Sequence, residues 1–112
     1  MKTRAPRNVP ARFSFQDVLL RAEGWGHLTE IHSAGAELLS YFRLCRGEAL
    51  SLDFELAGVS FVAVRARVLS SAKDADGYFY ADIRFTDHEF RSRLGAHLSA
   101  VLAGGIDVEI RR

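Results

Sequence analysis

The sequence predicts an all-β fold, a six-stranded antiparallel barrel with one C-terminal α-helix. Three observations carry this. Apolar and polar residues alternate with period two between Arg12 and Phe85, turn residues cut that alternation into short runs, and a single stripe at helical spacing follows. The 112 residues, 48% hydrophobic and 26% charged, suit one globular domain large enough to bury a core without disulfides or metal. Its expected divisions are a mobile basic arm over residues 1–11, the barrel over 12–85, the helix over 86–103 and a tail over 104–112.

Met1–Arg7 has no apolar periodicity, and Pro6 and Pro10 cannot donate to a ladder, so regular strand is expected to begin near Arg12 or Phe13. Phe13–Leu20 then reads as a strand. Phe13 and Phe15 share a face with Asp17, while Val18 and Leu20 share the other, which calls for a bulge near Gln16–Asp17. Ala22–Gly26 separates it from His27–Ile31, and the turn His32–Gly35 leads to Ala36–Phe42.

The clearest alternation is Ala49–Leu56, with Leu50, Leu52, Phe54 and Leu56 on one face. Ala57-Gly58 turns it into Ser60–Ser70, where Val62, Val64, Ala66 and Val68 oppose Phe61, Ala63, Arg65 and Arg67. After a polar loop, Ser71–Gly77, a last strand sets Phe79, Ala81, Ile83 and Phe85 inward. Thr86-Asp87-His88-Glu89 is a capping-box pattern with Thr86 as the cap. Phe90, Leu94, Leu98, Val101 and Leu102 form the stripe of the helix, which Gly104-Gly105 stops. Ile106–Ile110 alternates again and fits a short seventh strand.

Net charge is +1, yet Lys2, Arg4, Arg7 and Arg12 place +4 in the first twelve residues, leaving −3 on the rest. An arginine-bearing arm on a near-neutral body suits capture of a small anion or phosphate and is too little charge for a DNA or RNA surface. Cys45, the single cysteine, favours a reducing compartment; no run reaches membrane-spanning length and no signal peptide is visible, so the cytoplasm is expected. Enzymatic chemistry finds no support. Cys45 is distant in sequence from the histidines, no nucleophile elbow or glycine-rich phosphate loop is present, and His27, His32, His88 and His97 lack metal-ligand spacing. No metal and no resident cofactor are expected.

The arm Arg7-Asn8-Val9-Pro10-Ala11-Arg12, the turn Glu30-Ile31-His32-Ser33-Ala34-Gly35 and the segment Tyr78–Phe85 before the helix together resemble the PilZ domains, bacterial receptors for cyclic di-GMP. The resemblance runs over about residues 4–102, and the order and spacing of the elements agree throughout. Laid on the family's Arg-Arg-x-x-x-Arg pattern, Arg7 and Arg12 match and Asn8 replaces the middle arginine. On the Asp/Asn-x-Ser-x-x-Gly pattern, Glu30 is a near-match, His32 replaces the serine and Gly35 matches. The resemblance implies a PilZ-like barrel that clamps cyclic di-GMP between arm and turn through Arg7, Asn8, Arg12, Glu30, His32 and Gly35. It further implies a non-enzymatic signalling adaptor, monomer or weak homodimer, that engages a protein partner. Arginines would hold phosphates or guanine O6 and N7, the acid would accept guanine N–H, and glycine would permit close approach or positive φ. Losing one arginine removes charge-assisted bonds worth roughly 1.5–3 kcal/mol, so binding is expected to be weak. The alternative is a nucleotide-independent interaction module of the same fold; an oligonucleotide-binding barrel is a third reading, disfavoured by charge.

Overall fold

The structure is a computed structural model that describes residues 2–15 and 23–102. Six strands, β1 (Lys2–Phe15), β2 (Gly24–His32), β3 (Gly35–Ser40), β4 (Ala49–Leu56), β5 (Val59–Lys73) and β6 (Phe79–Phe85), precede one helix, α1 (His88–Leu102). The strands close an antiparallel barrel in the order β1-β2-β3-β6-β5-β4, with β4 returning to β1. The pairing of Ala11–Phe15 with β4 closes the barrel and removes the sheet edge there, which is how a small all-β chain avoids edge-to-edge association.

The alternation predicts the core well. Phe13, Phe15, Leu28, Leu38, Leu50, Leu52, Phe54, Ala81, Ile83 and Phe85 are all buried inside the barrel. The helix closes it, with Phe90, Leu94 and Leu98 buried and Val101 half-buried. On the same helix, the His97 Nε2–H donates to the Leu56 carbonyl at 2.7 Å, tying α1 to the end of β4.

Several boundaries differ from the sequence expectation. Strand β2 starts at Gly24 rather than His27, because Gly24, Trp25 and Gly26 pair with Phe13, Arg12 and Ala11 of β1. Strand begins at Lys2 rather than Arg12, because β1 pairs with β2 from Lys2 onward but with β4 only from Ala11 to Phe15. Among the described residues, Pro6 and Pro10 thus lie where the strand has a neighbour on one side only, the place where a missing donor is tolerated. The helix is capped by Asp87, not Thr86: its Oδ1 accepts from the Glu89 and Phe90 amides at 3.0 and 3.5 Å. Strand β3 ends at Ser40, whose buried hydroxyl accepts the Phe42 amide at 2.8 Å. Strand β5 runs on to Lys73, and the following turn is built on Asp74, whose carboxylate accepts the Asp76 and Tyr78 amides. The bulge expected near Gln16–Asp17 and the strand expected at Ile106–Ile110 lie outside the described residues.

The largest departure is in β5. Phe61 is buried and Val62 is 70% exposed, the reverse of the expected phase. A bulge makes the switch: Leu52 faces Val64 and Phe54 faces Phe61, so Asp53 faces both Val62 and Ala63. Ala63 adopts φ 56°, and the Asp53 carboxylate accepts its amide at 2.8 Å while pairing with Arg12 on β1 at 2.8 Å. The Ala63 amide first, then Arg12, hold the Asp53 carboxyl below the usual carboxylate range. A folded pKa below the unfolded one, about 3.9, gives stability that is complete above that value and lost as pH falls through the folded pKa. Asp53→Asn is therefore expected to destabilise the domain by about 1 kcal/mol at neutral pH, the low end for a charged hydrogen bond because the carboxylate stays in contact with water. Urea unfolding of parent and variant should converge as pH falls through the folded pKa of Asp53, and an unchanged gap at low pH would assign the loss to shape rather than charge.

Candidate functional site

The turn Ser33-Ala34 joins β2 to β3 and is pinned to the barrel by the Phe85 amide, which donates to the Ala34 carbonyl at 2.9 Å. Beside it, Glu30, His32 and Gly35 line a groove of about 490 Å³ together with Glu37 of β3, Leu69 of β5, and Asp82 and Arg84 of β6. Leu69 reaches it because β5 carries a second bulge, between Val68, opposite Ile83, and Ser70, opposite Asp82. Three of the six sequence-predicted residues thus share one concave surface.

The arm approaches through β1. Lys2 pairs with His32, Thr3 with Ile31 and Arg4 with Glu30, so the backbone of the first basic residues lies along the strand that leads into the turn. Between Arg4 and Val9 the register breaks, and Ala5, Pro6, Arg7 and Asn8 all face the single residue Thr29. Thr29 is also the extra residue between β2 and β3, so both ladders lose register at one point. Its hydroxyl donates to Glu37 Oε1 at 2.7 Å. The backbone of Arg7 and Asn8 is therefore brought next to Glu30.

Arg12 stands apart. It pairs with Trp25, five residues along β2 from Glu30, a distance of about 17 Å. Its guanidinium binds Asp53 at 2.8 Å and approaches Glu23 at 3.9 Å. Those two carboxylates, Asp53 first, raise its pKa further above its ordinary value.

Gly35 has a different reason from the one the motif implies. Its φ is not in the left-handed region, and a Cβ there would collide with the carbonyl oxygen of Ile83 on the neighbouring strand. The glycine lets β3 and β6 pack closely beneath the groove.

The sequence reading missed Glu37, Asp82 and Arg84. Alternation sends Arg84 outward, but only the β3–β6 pairing brings it beside Gly35. With Glu30, these residues give the groove, among the described residues, three carboxylates against one arginine and one histidine. Such a lining repels a dianion unless further cations join it. Among the described residues no cluster of three or more His, Cys, Asp or Glu is placed to hold a metal ion, and no helix is long and apolar enough to cross a membrane.

No protein-family model and no curated protein matches the chain. Solved structures do. Escherichia coli YcgR in complex with c-di-GMP superposes with a TM-score of 0.73 at 11% identity, covering 94% of this chain and 46% of that one. K. pneumonia MrkH in its apo state gives 0.70 at 12%, covering 94% and 51%. The PilZ domain of YcgR with c-di-GMP, taken alone, gives 0.62 at 12%, covering 95% and 96%. The barrel with its closing helix is thus a PilZ-like fold. The chain spans about half the length of YcgR and MrkH.

Proposed function

We propose that this chain is a non-enzymatic PilZ-like signalling module that takes cyclic di-GMP between its basic arm and the Glu30–Gly35 turn. The observation that carries the reading is the β1–β2 register, which sets Arg4 opposite Glu30 and Lys2 opposite His32 beside the groove. An acidic lining alone suits guanine N–H donors and opposes phosphates; in this reading the basic residues Lys2, Arg4 and Arg7 of the arm supply the missing charge to the ligand. Arg84 is a further candidate for guanine O6 and N7 or for a phosphate. Asn8 and His32 stand where the family has arginine and serine, so affinity is modest. Arg12 contributes as the far end of the clamp only by leaving Asp53 and Glu23. Ligand ordering the arm would reshape the surface offered to a protein partner in the cytoplasm, a population shift set by the ligand's preference for one arm state.

Calorimetry with cyclic di-GMP tests this. Binding is expected, with Asn8→Arg tightening it by about ten-fold, the effect of one restored charge-assisted pair, and Arg7→Ala weakening it to a similar degree. Arg12→Ala separates two roles: lost affinity places it in the clamp, whereas lost stability alone leaves it in the fold. No heat at millimolar nucleotide overturns the receptor reading.

A second reading, a nucleotide-independent interaction module, is favoured by the exposed aromatics of the outer wall. Trp25 and Tyr41 are each 66% exposed and Tyr80 is 37% exposed. Tyr41 stacks on Tyr78 at 4.2 Å, a rigid aromatic pair of the kind enriched at interfaces.

A further inference from the structure

A second groove, of about 440 Å³, lies between the β3–β4 loop and the end of β5, and its charge is opposite to that of the first. Arg43, Arg46 and Lys73 line it with the hydroxyl-bearing Ser70 and Ser71, and among the described residues no carboxylate lines it. Phe79 and Cys45 complete the wall. We propose that this groove is a binding site for a small phosphate-bearing molecule with two or more negative charges, separate from the arm-and-turn groove.

Three features make it a built site rather than a scatter of surface cations. The first is the frame. The Gly47 amide donates to the Val68 carbonyl at 2.8 Å, the Val68 amide to the Glu48 carbonyl at 2.9 Å, and the Arg67 guanidinium to the Gly47 carbonyl at 2.7 Å. Within the loop, the Cys45 amide donates to the Glu48 carboxylate at 2.8 Å, and Leu44 is buried in the core. Arg43 and Arg46 are therefore presented by an anchored loop, which lowers the entropy lost on binding.

The second feature is the strand edge. Pairing of β4 with β5 ends at Ala49 and Arg67, while β5 continues to Lys73 paired with β6. From Ser70 to Lys73 the side of β5 toward the loop carries no ladder among the described residues, which leaves that side of the strand beside the groove. The third is the aromatic wall. The Lys73 ammonium lies 5.6 Å from the Phe79 ring centroid, which holds the charge at the groove and leaves an apolar surface beside it. Two carboxylates are bonded to the groove's wall from behind: Asp82 accepts from the Ser70 hydroxyl at 3.3 Å and Glu48 accepts from the Cys45 amide at 2.8 Å.

Cys45 supplies the readout. Alkylation of the full chain by iodoacetamide, a neutral reagent insensitive to charge screening, reports whether the groove is occupied. Inorganic pyrophosphate at millimolar concentration is expected to slow the reaction, relative to sodium chloride at equal ionic strength. A nucleoside diphosphate run in parallel tells a free polyphosphate ligand from a phosphate ester that also uses the Phe79 wall. Arg46→Gln and Lys73→Gln, both at exposed positions, should each raise the half-protecting concentration by about ten-fold, as loss of one charge-assisted contact implies. Arg7→Ala, in the arm, should leave it unchanged, which keeps this result independent of cyclic di-GMP binding. No protection by either phosphate, or protection that survives both substitutions, overturns the proposal.

Discussion

Phe90→Ala is expected to cost about 3–5 kcal/mol, a large part of the roughly 5–15 kcal/mol that holds a domain of this size folded. The ring sits where the helix meets the barrel, with centroids 6.4 Å from Phe54, 5.4 Å from Phe61 and 5.0 Å from Phe85. Its plane stands at 88°, 88° and 79° to theirs, the edge-to-face arrangement that aromatic quadrupoles favour. Arg93 covers the cluster from outside, 5.5 Å from the Phe61 centroid and 6.0 Å from that of Phe90. Removing the ring leaves three phenylalanines facing a void that a helix held by Asp87 and His97 cannot collapse to fill. Urea unfolding should show a lower midpoint with an unchanged slope, and Phe90→Leu should recover more than half of the loss. A cost below about 1 kcal/mol would mean that the helix does not seal the barrel.

That cluster also shows what the chain alone reveals. Phe90, Leu94 and Leu98 were legible because helical spacing is a local property, and so were Leu50, Leu52 and Phe54 by alternation. Phe61 was not. Its inward position depends on one extra residue opposite Asp53, and nothing in Phe61-Val62-Ala63 distinguishes a bulge from plain alternation. Positive φ at a bulge is usually marked by glycine or asparagine, and here it falls on Ala63, with Asp53 as the local support. The helix cap shifted by one residue for a similar reason: Thr86 and Asp87 are both good caps, and the Thr86 amide is already committed to the Arg65 carbonyl at 3.0 Å.

The candidate site divides along the same line. Glu30, His32 and Gly35 are close in sequence, and the structure places them together. Arg7 and Asn8 reach the same region only through a four-residue excursion of β1, and Asp82 and Arg84 only through the pairing of β3 with β6, which are far apart in sequence. Arg12 and Arg7 look equivalent on a motif, yet strand geometry separates them along β1 and gives Arg12 two carboxylates of its own. Spacing along a chain translates into proximity only where the strand register is known.

Gly35→Ala is expected to destabilise the domain by about 3 kcal/mol, near the top of the usual range for overpacking. The obstacle is backbone, not a side chain that can turn aside: the added methyl would strike the Ile83 carbonyl oxygen and crowd the backbone of Arg84. Relief requires β3 to move away from β6 at its first residue, where the Gly35–Arg84 and Ala36–Ile83 pairs hold the groove's floor. Gly58→Ala is the matched control. It has φ +83° with nothing within 4 Å of the added atom, so it carries conformational strain without collision, about 1 kcal/mol. Chemical denaturation of both variants should rank Gly35→Ala as the more costly by roughly 2 kcal/mol, and amide exchange should show the excess opening at Ala36–Leu38 and Ala81–Ile83. Equal costs at the two positions would mean that the strands yield easily there, and Gly35 would then need a ligand, not a neighbouring strand, to explain it.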